Sequence, residues 1–121
     1  MQYMLLMIEP PEQRRTRTET EGRAVYDLML KFAAELQARG VLRGVESLQS
    51  HTLATRVQVR SGRTQVLDGP FAEAKEMIGG FFLVDVPSRE AALAIAAECP
   101  AAEWCTVEVR GLGPCYDDSI G

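Results

Sequence analysis

Apolar and polar positions along this chain change period several times, and each change marks an element. Tyr3, Met4, Leu5, Leu6, Met7 and Ile8 form an unbroken apolar run, stopped by Glu9, Pro10 and Pro11. Such a run predicts a strand covered on both faces. Residues 10–20 are polar and predict a loop. From 21 to 39 the apolar residues Val25, Leu28, Met29, Phe32, Ala33 and Leu36 recur in steps of three and four. That spacing is one stripe of a helix. Thr18 or Thr20 is placed to cap its start, Glu19 and Glu21 suit the positive end of its dipole, and Gly40 ends it.

The second half reads mostly as strand. A weak strand is expected at 45–48, and residues 53–60 then alternate: Leu53, Thr55, Val57 and Val59 share one face, Arg56, Gln58 and Arg60 the other. Ser61-Gly62 is a tight turn, and 63–67 return as the second arm of a hairpin. Asp68-Gly69-Pro70-Phe71 interrupts the sheet, and Gly79-Gly80 leads into a second doubly apolar strand at 81–86. Pro87-Ser88 stops that strand and opens a small-residue helix through Ala91, Ala92, Leu93, Ile95 and Ala96, which ends at Cys99-Pro100. Residues 102–110 predict a last strand, with Cys105, Val107 and Val109 on one face and Trp104, Thr106, Glu108 and Arg110 on the other. Residues 111–121 form an irregular tail.

The order strand, helix, strand, strand, helix, strand is the ferredoxin-like βαββαβ pattern, with the hairpin inserted. The fold class expected is therefore α+β. The two doubly apolar strands fall where that topology has its central strands. Two helices cover only one face of such a sheet. The bare reverse face would expose more apolar surface than a monomer normally shows, so a homodimer stacked sheet against sheet is expected.

Composition narrows the picture. With 121 residues, 46% hydrophobic and 25% charged, the chain has ordinary globular usage and the length of one domain, its core at about 1–110. The net charge of −4 comes from 13 basic and 17 acidic side chains, interspersed. No basic patch suited to phosphates stands out, and direct nucleic-acid binding is not expected; Arg14, Arg15 and Arg17 read as a solvated loop. The apolar start is too short for a leader or a membrane span, which points to the cytoplasm and no membrane contact. Cys99, Cys105 and Cys115 are odd in number and lack paired spacing, so neither a disulfide framework nor a metal site is expected, and no cofactor is implied.

The stretch Asp68-Gly69-Pro70-Phe71-Ala72-Glu73-Ala74-Lys75-Glu76 resembles the signature of the DGPF proteins, a branch of the YCII-related family. Tyr3-Met4-Leu5-Leu6, Gly40-Val41-Leu42 with Glu46 and Leu48, Gly79-Gly80-Phe81 and Val107-Glu108-Val109-Arg110 are also similar, in the right order. The resemblance implies a ferredoxin-like domain that pairs into a dimeric α/β barrel. It also implies a regulatory role, since such genes often neighbour sigma factors of the extracytoplasmic-function type. The wider group has been proposed to hold an active-site His/Asp pair with its histidine in the first helix. This chain departs from that pattern: residues 21–39 contain no histidine.

Asp68 is the candidate catalytic residue, a carboxylate at the end of a hairpin arm that could act as a base. Asp-Gly-Pro is equally good turn chemistry, with Phe71 as its anchor in the core. Lys75 and Glu76 are candidate ligand contacts beside it; Glu73 reads as solvated. Glu108 and Arg110, with Arg56 and also Arg60 and Trp104, would stand at the mouth of a dimer cleft if their face meets a partner, or would protect an edge strand. His51, the only histidine, is a further candidate, or a plain loop residue. Two functions follow. One is a dimeric module that binds a small polar ligand or serves regulation. The alternative is a small cofactor-independent enzyme using Asp68 for acid–base chemistry in the dimer cleft.

Overall fold

The structure is a computed structural model and describes residues 1–116, 118 and 120. Four strands, β1 (Gln2–Glu9), β2 (Leu42–Ser47), β5 (Met77–Asp85) and β6 (Thr106–Gly111), form an antiparallel sheet in the order β2-β5-β1-β6. Helix α1 (Glu19–Ala38) links β1 to β2, and α2 (Arg89–Glu98) links β5 to β6. This is a mixed α+β arrangement compatible with the ferredoxin-like pattern, and the doubly apolar strands β1 and β5 are central, as their sequences require. The hairpin β3 (Thr55–Arg60) and β4 (Arg63–Asp68) pairs only with itself.

Alternation along β1 sorts the two faces. Tyr3, Leu5 and Met7 are buried with Phe82 and Val84 of β5, under Phe32 and Leu36 of α1 and Ala92, Ile95 and Ala96 of α2. Both helices therefore lie on one side. Met4, Leu6, Ile8, Phe81 and Leu83 point the other way and stay half-buried.

Local signals explain the helix ends. Thr18 accepts from the Glu21 amide at 3.1 Å while Glu21 accepts from the Thr18 amide at 3.1 Å, a reciprocal capping box. Those bonds from Thr18 hold the Glu21 carboxyl below its usual range. Ser88 caps α2 through the Ala91 amide. The helical stripe of α1 is buried only in its second half; Val25 and Met29 overhang a cavity, and Leu28 faces solvent.

Three expectations need correction. The last strand starts at Thr106, because Pro100–Glu103 form a short 3-10 turn that carries Trp104 and Cys105 away from the ladder. The strand expected at 81–86 begins four residues earlier, at Met77, and the strand expected at 45–48 begins at Leu42. Gly79 lies inside β5, at a register shift opposite Met7 and Ile8. A Cβ there would sit 2.6 Å from Glu9 Oε1, so only glycine leaves room for that carboxylate.

Candidate functional site

The Asp68–Glu76 stretch does its first work by packing. Phe71 is buried, and the Arg56 guanidinium lies 3.7 Å over its ring while His51 meets it edge-on at 5.8 Å. Gly69 donates its amide to Ala54 O at 2.8 Å, and its Cα lies so near the His51 carbonyl that any Cβ would collide. The motif thereby clamps the 3-10 turn His51–Leu53 and the base of the hairpin together.

That clamp is one wall of an open cleft of about 520 Å³ on the helix-free side. Leu6, Ile8 and Ile78 form its floor, and His51, Arg56, Glu76, Glu108 and Arg110 line it. Five of the nine residues singled out from sequence are thus brought together across three separate segments. Glu108 and Arg110 bond each other at 2.6 Å, both partly or well exposed, an ion pair of the kind worth only about 0–1 kcal/mol. His51 is only partly exposed, and its Nδ1 is buried without a partner among the described residues. Asp68 lies outside the cleft. It is exposed and accepts from Thr55 Oγ1 at 2.8 Å, across the hairpin. Lys75 is exposed and also outside, as is Arg60. Trp104 sits on the opposite side of the sheet, because its 3-10 turn breaks the alternation that placed it with Glu108.

A second concavity, of about 640 Å³, lies between the sheet and the first half of α1. Met7, Met29, Phe82, Trp104 and Cys105 give it an apolar wall, with Glu9 and Arg14 within it. Glu9 is only 7% exposed. Arg14 Nε donates to Glu9 Oε1 at 2.7 Å, and its other nitrogens donate to Leu48 O at 2.7 Å and Gly79 O at 3.2 Å. One guanidinium therefore ties the ends of β1, β2 and β5 together. No bond to Glu9 Oε2 forms among the described residues. Gln13 holds the neighbouring wall by donating to Trp104 O at 2.6 Å, and Arg17 lies 5.7 Å over the Trp104 ring at the mouth. Burial pushes the Cys105 thiol up to about 11, with the Glu9 and Cys99 charges adding to the effect. That thiol stays protonated at neutral pH and is a poor nucleophile.

Sequence reasoning missed Glu9 and Arg14. The signal was present: Glu9 follows Tyr3, Leu5 and Met7 in the buried phase of β1. Reading it with Pro10-Pro11 as a strand stop concealed that phase. Among the described residues no three His, Cys, Asp or Glu side chains cluster as metal ligands, and no helix is long and apolar enough to cross a membrane.

The YCII-related domain matches residues 1–114. An uncharacterised protein of Rhizobium meliloti (strain 1021) is 38% identical over 96 residues, which span 78% of this chain and 77% of that relative. With a match running from the first strand past the last, the chain belongs to the YCII-related family.

Proposed function

We propose that this chain is a cytoplasmic homodimeric binding module of the DGPF branch, which captures a small organic molecule in the helix-side cavity without turning it over. The observation that carries the reading is Glu9: a carboxylate 7% exposed, held by Arg14 through one oxygen, with the other lacking a protein donor among the described residues. That free carboxylate oxygen belongs to a residue lining the cavity and can accept from a bound molecule. The volume of about 640 Å³ falls within the range of small-molecule sites. The wall asks for an apolar or aromatic body, and Glu9 for a hydroxyl or amine head. The thiol of Cys105 supplies no nucleophile, and the first helix supplies no histidine, so binding without chemistry is the simpler reading. Capture without turnover suits a regulatory companion to a sigma factor. The free thiols of Cys99, Cys105 and Cys115 suit a reducing compartment. The half-buried face of Met4, Leu6, Ile8, Phe81 and Leu83 supports pairing into a dimeric α/β barrel.

The competing reading is a cofactor-independent enzyme with Asp68 as base in a cleft between two copies. The convergence of His51, Arg56, Glu76, Glu108 and Arg110 favours it. The engagement of Asp68 with Thr55, away from that cleft, weighs against it.

Thermal-shift measurements with phenethylamine, phenethyl alcohol and phenylacetate separate the two. These probes share a body and differ in the head. Amine and alcohol should stabilise the protein, by about 2.7 kcal/mol at a hundredfold excess over Kd; phenylacetate should not. Met29→Trp, which fills the cavity, should abolish the effect, and Asp68→Asn should leave it intact. No shift with any probe, or a shift lost only in Asp68→Asn, would overturn the proposal.

A further inference from the structure

Three arginines line the cavity between the sheet and α1, and two of them are engaged. Arg14 donates to Glu9, Leu48 O and Gly79 O, and Arg23 donates twice to Glu19 across one turn of α1. Arg17 is the third. Its guanidinium forms no ion pair and donates no hydrogen bond among the described residues. Nor is it a free surface side chain: Arg17 is only partly exposed and lies over the Trp104 ring at 5.7 Å. Drawing a guanidinium partly out of water without a counter-ion is unfavourable, and the contact with Trp104 offsets only part of that. The five N–H donors of an arginine are fixed in a planar fork that matches a carboxylate.

The acids nearest to Arg17 do not fill that fork. Glu19, on the cavity wall, is held by Arg23. Glu21 feels the Arg17 charge, but its carboxylate accepts from the Thr18 amide and makes no ion pair among the described residues. Arg17 directly precedes Thr18, the N-cap of a 20-residue helix whose first turn borders the cavity. The positive end of that helix adds to the potential at the mouth. The cavity therefore carries a charge of each sign that is not fully satisfied: the Glu9 carboxylate with one open oxygen, and the Arg17 guanidinium. The Cys105 thiol registers both, since Glu9 raises it and Arg17 lowers it. One side chain of the wall thus stands within electrostatic reach of both charges, which places them around a single volume.

We propose that the ligand of this cavity is bifunctional, an amino acid or hydroxy acid whose apolar body separates its amine or hydroxyl from a carboxylate, and that Arg17 binds the carboxylate. This inference rests on the cavity reading above and names the other end of the molecule captured there. The body lies against Met7, Met29 and Phe82, the head reaches the open oxygen of Glu9, and the carboxylate takes the N–H donors of Arg17 beside Trp104. A partly exposed ion pair adds little by itself. Phenylacetate, which has nothing for Glu9, is therefore not held, whereas a molecule already seated on Glu9 gains from Arg17.

Isothermal titration calorimetry with p-(aminomethyl)phenylacetate and its neutral primary amide tests this. The two probes share body and head and differ in the charge of the far group. The acid should bind about fivefold more tightly than the amide at low salt, the upper end for a partly exposed pair. That preference should shrink as salt rises. Arg17→Met keeps a side chain on Trp104 without the charge and should bring the acid to the affinity of the amide, with amide binding as the check that the variant is folded. Arg15→Met, on the same turn but exposed and outside the cavity, should keep the preference. Equal binding of acid and amide by the parent, or a preference that survives Arg17→Met, overturns the role of Arg17 and leaves the cavity site standing. Binding of phenethylamine but of neither para-substituted probe also overturns it, because the cavity then does not reach from Glu9 to the mouth. Binding of none of the three sinks the cavity reading and this inference with it.

Discussion

At the scale of single residues, the two cavities are set by side chains that pack as much as by side chains that bond. Gly69 and Gly79 are required for what comes close to them, the His51 carbonyl and the Glu9 carboxylate. Phe71 holds His51 and Arg56 against the cleft by its ring faces and edges. Cys105 shows how this environment appears in titration. Its thiol rises from about 9 to about 11, because burial first, and the nearby Glu9 and Cys99 next, disfavour the thiolate. The folded state therefore holds this proton more tightly than the unfolded chain. The stabilisation is fully present below pH 9 and is lost as pH rises through 11. Denaturant unfolding of the parent should weaken over that interval, and Cys105→Ala should flatten this part of the pH profile. An equal slope in both proteins would show that other groups carry the alkaline transition.

At the scale of elements, α1 is held differently at its two ends. Its second half is glued to the sheet by Phe32, Ala33 and Leu36, while its first half roofs the cavity with little beneath it. The capping box therefore matters more here than on a helix packed along its whole length. Thr18→Ala removes the acceptor for the Glu21 amide and should cost about 1 kcal/mol in urea unfolding. It should also speed amide exchange in the first turns of α1 more than in the last. Uniform exchange along the helix would mean that the cavity roof is fastened by something other than its cap. The hairpin is the contrasting element. Its alternation is as clean as that of any half-buried strand, yet all twelve of its strand residues are exposed.

At the scale of the whole molecule, the sheet is layered on one side only, by α1 and α2. The reverse face gathers half-buried Met4, Leu6, Ile8, Phe81 and Leu83 near the centre, with Glu46, Glu108 and Arg110 toward the edges. An apolar centre with a polar rim is the anatomy of an interface core. Leu83→Lys places a charge at that centre without touching the helix-side core. Light scattering should show the parent as a dimer and this variant as a folded monomer. A variant that remains dimeric would place the contact elsewhere on the surface.

Period alone determined much of this protein: two doubly apolar strands, two helices of the right length and caps, a hairpin with its turn at Ser61-Gly62, and from their order the α+β class. These are local properties, since side-chain direction repeats every two residues in a strand and every 3.6 in a helix. The motif at 68–76 was equally legible as turn chemistry with a buried Phe71. Only the tertiary structure decided that His51, Arg56, Glu76, Glu108 and Arg110 share one cleft, that Asp68 spends its carboxylate on Thr55, and that Glu9 meets Arg14 inside a cavity. Those juxtapositions join residues from separate strands and turns. They depend on register, on the shift at Gly79 and on the break at Pro100, none of which a one-dimensional pattern encodes.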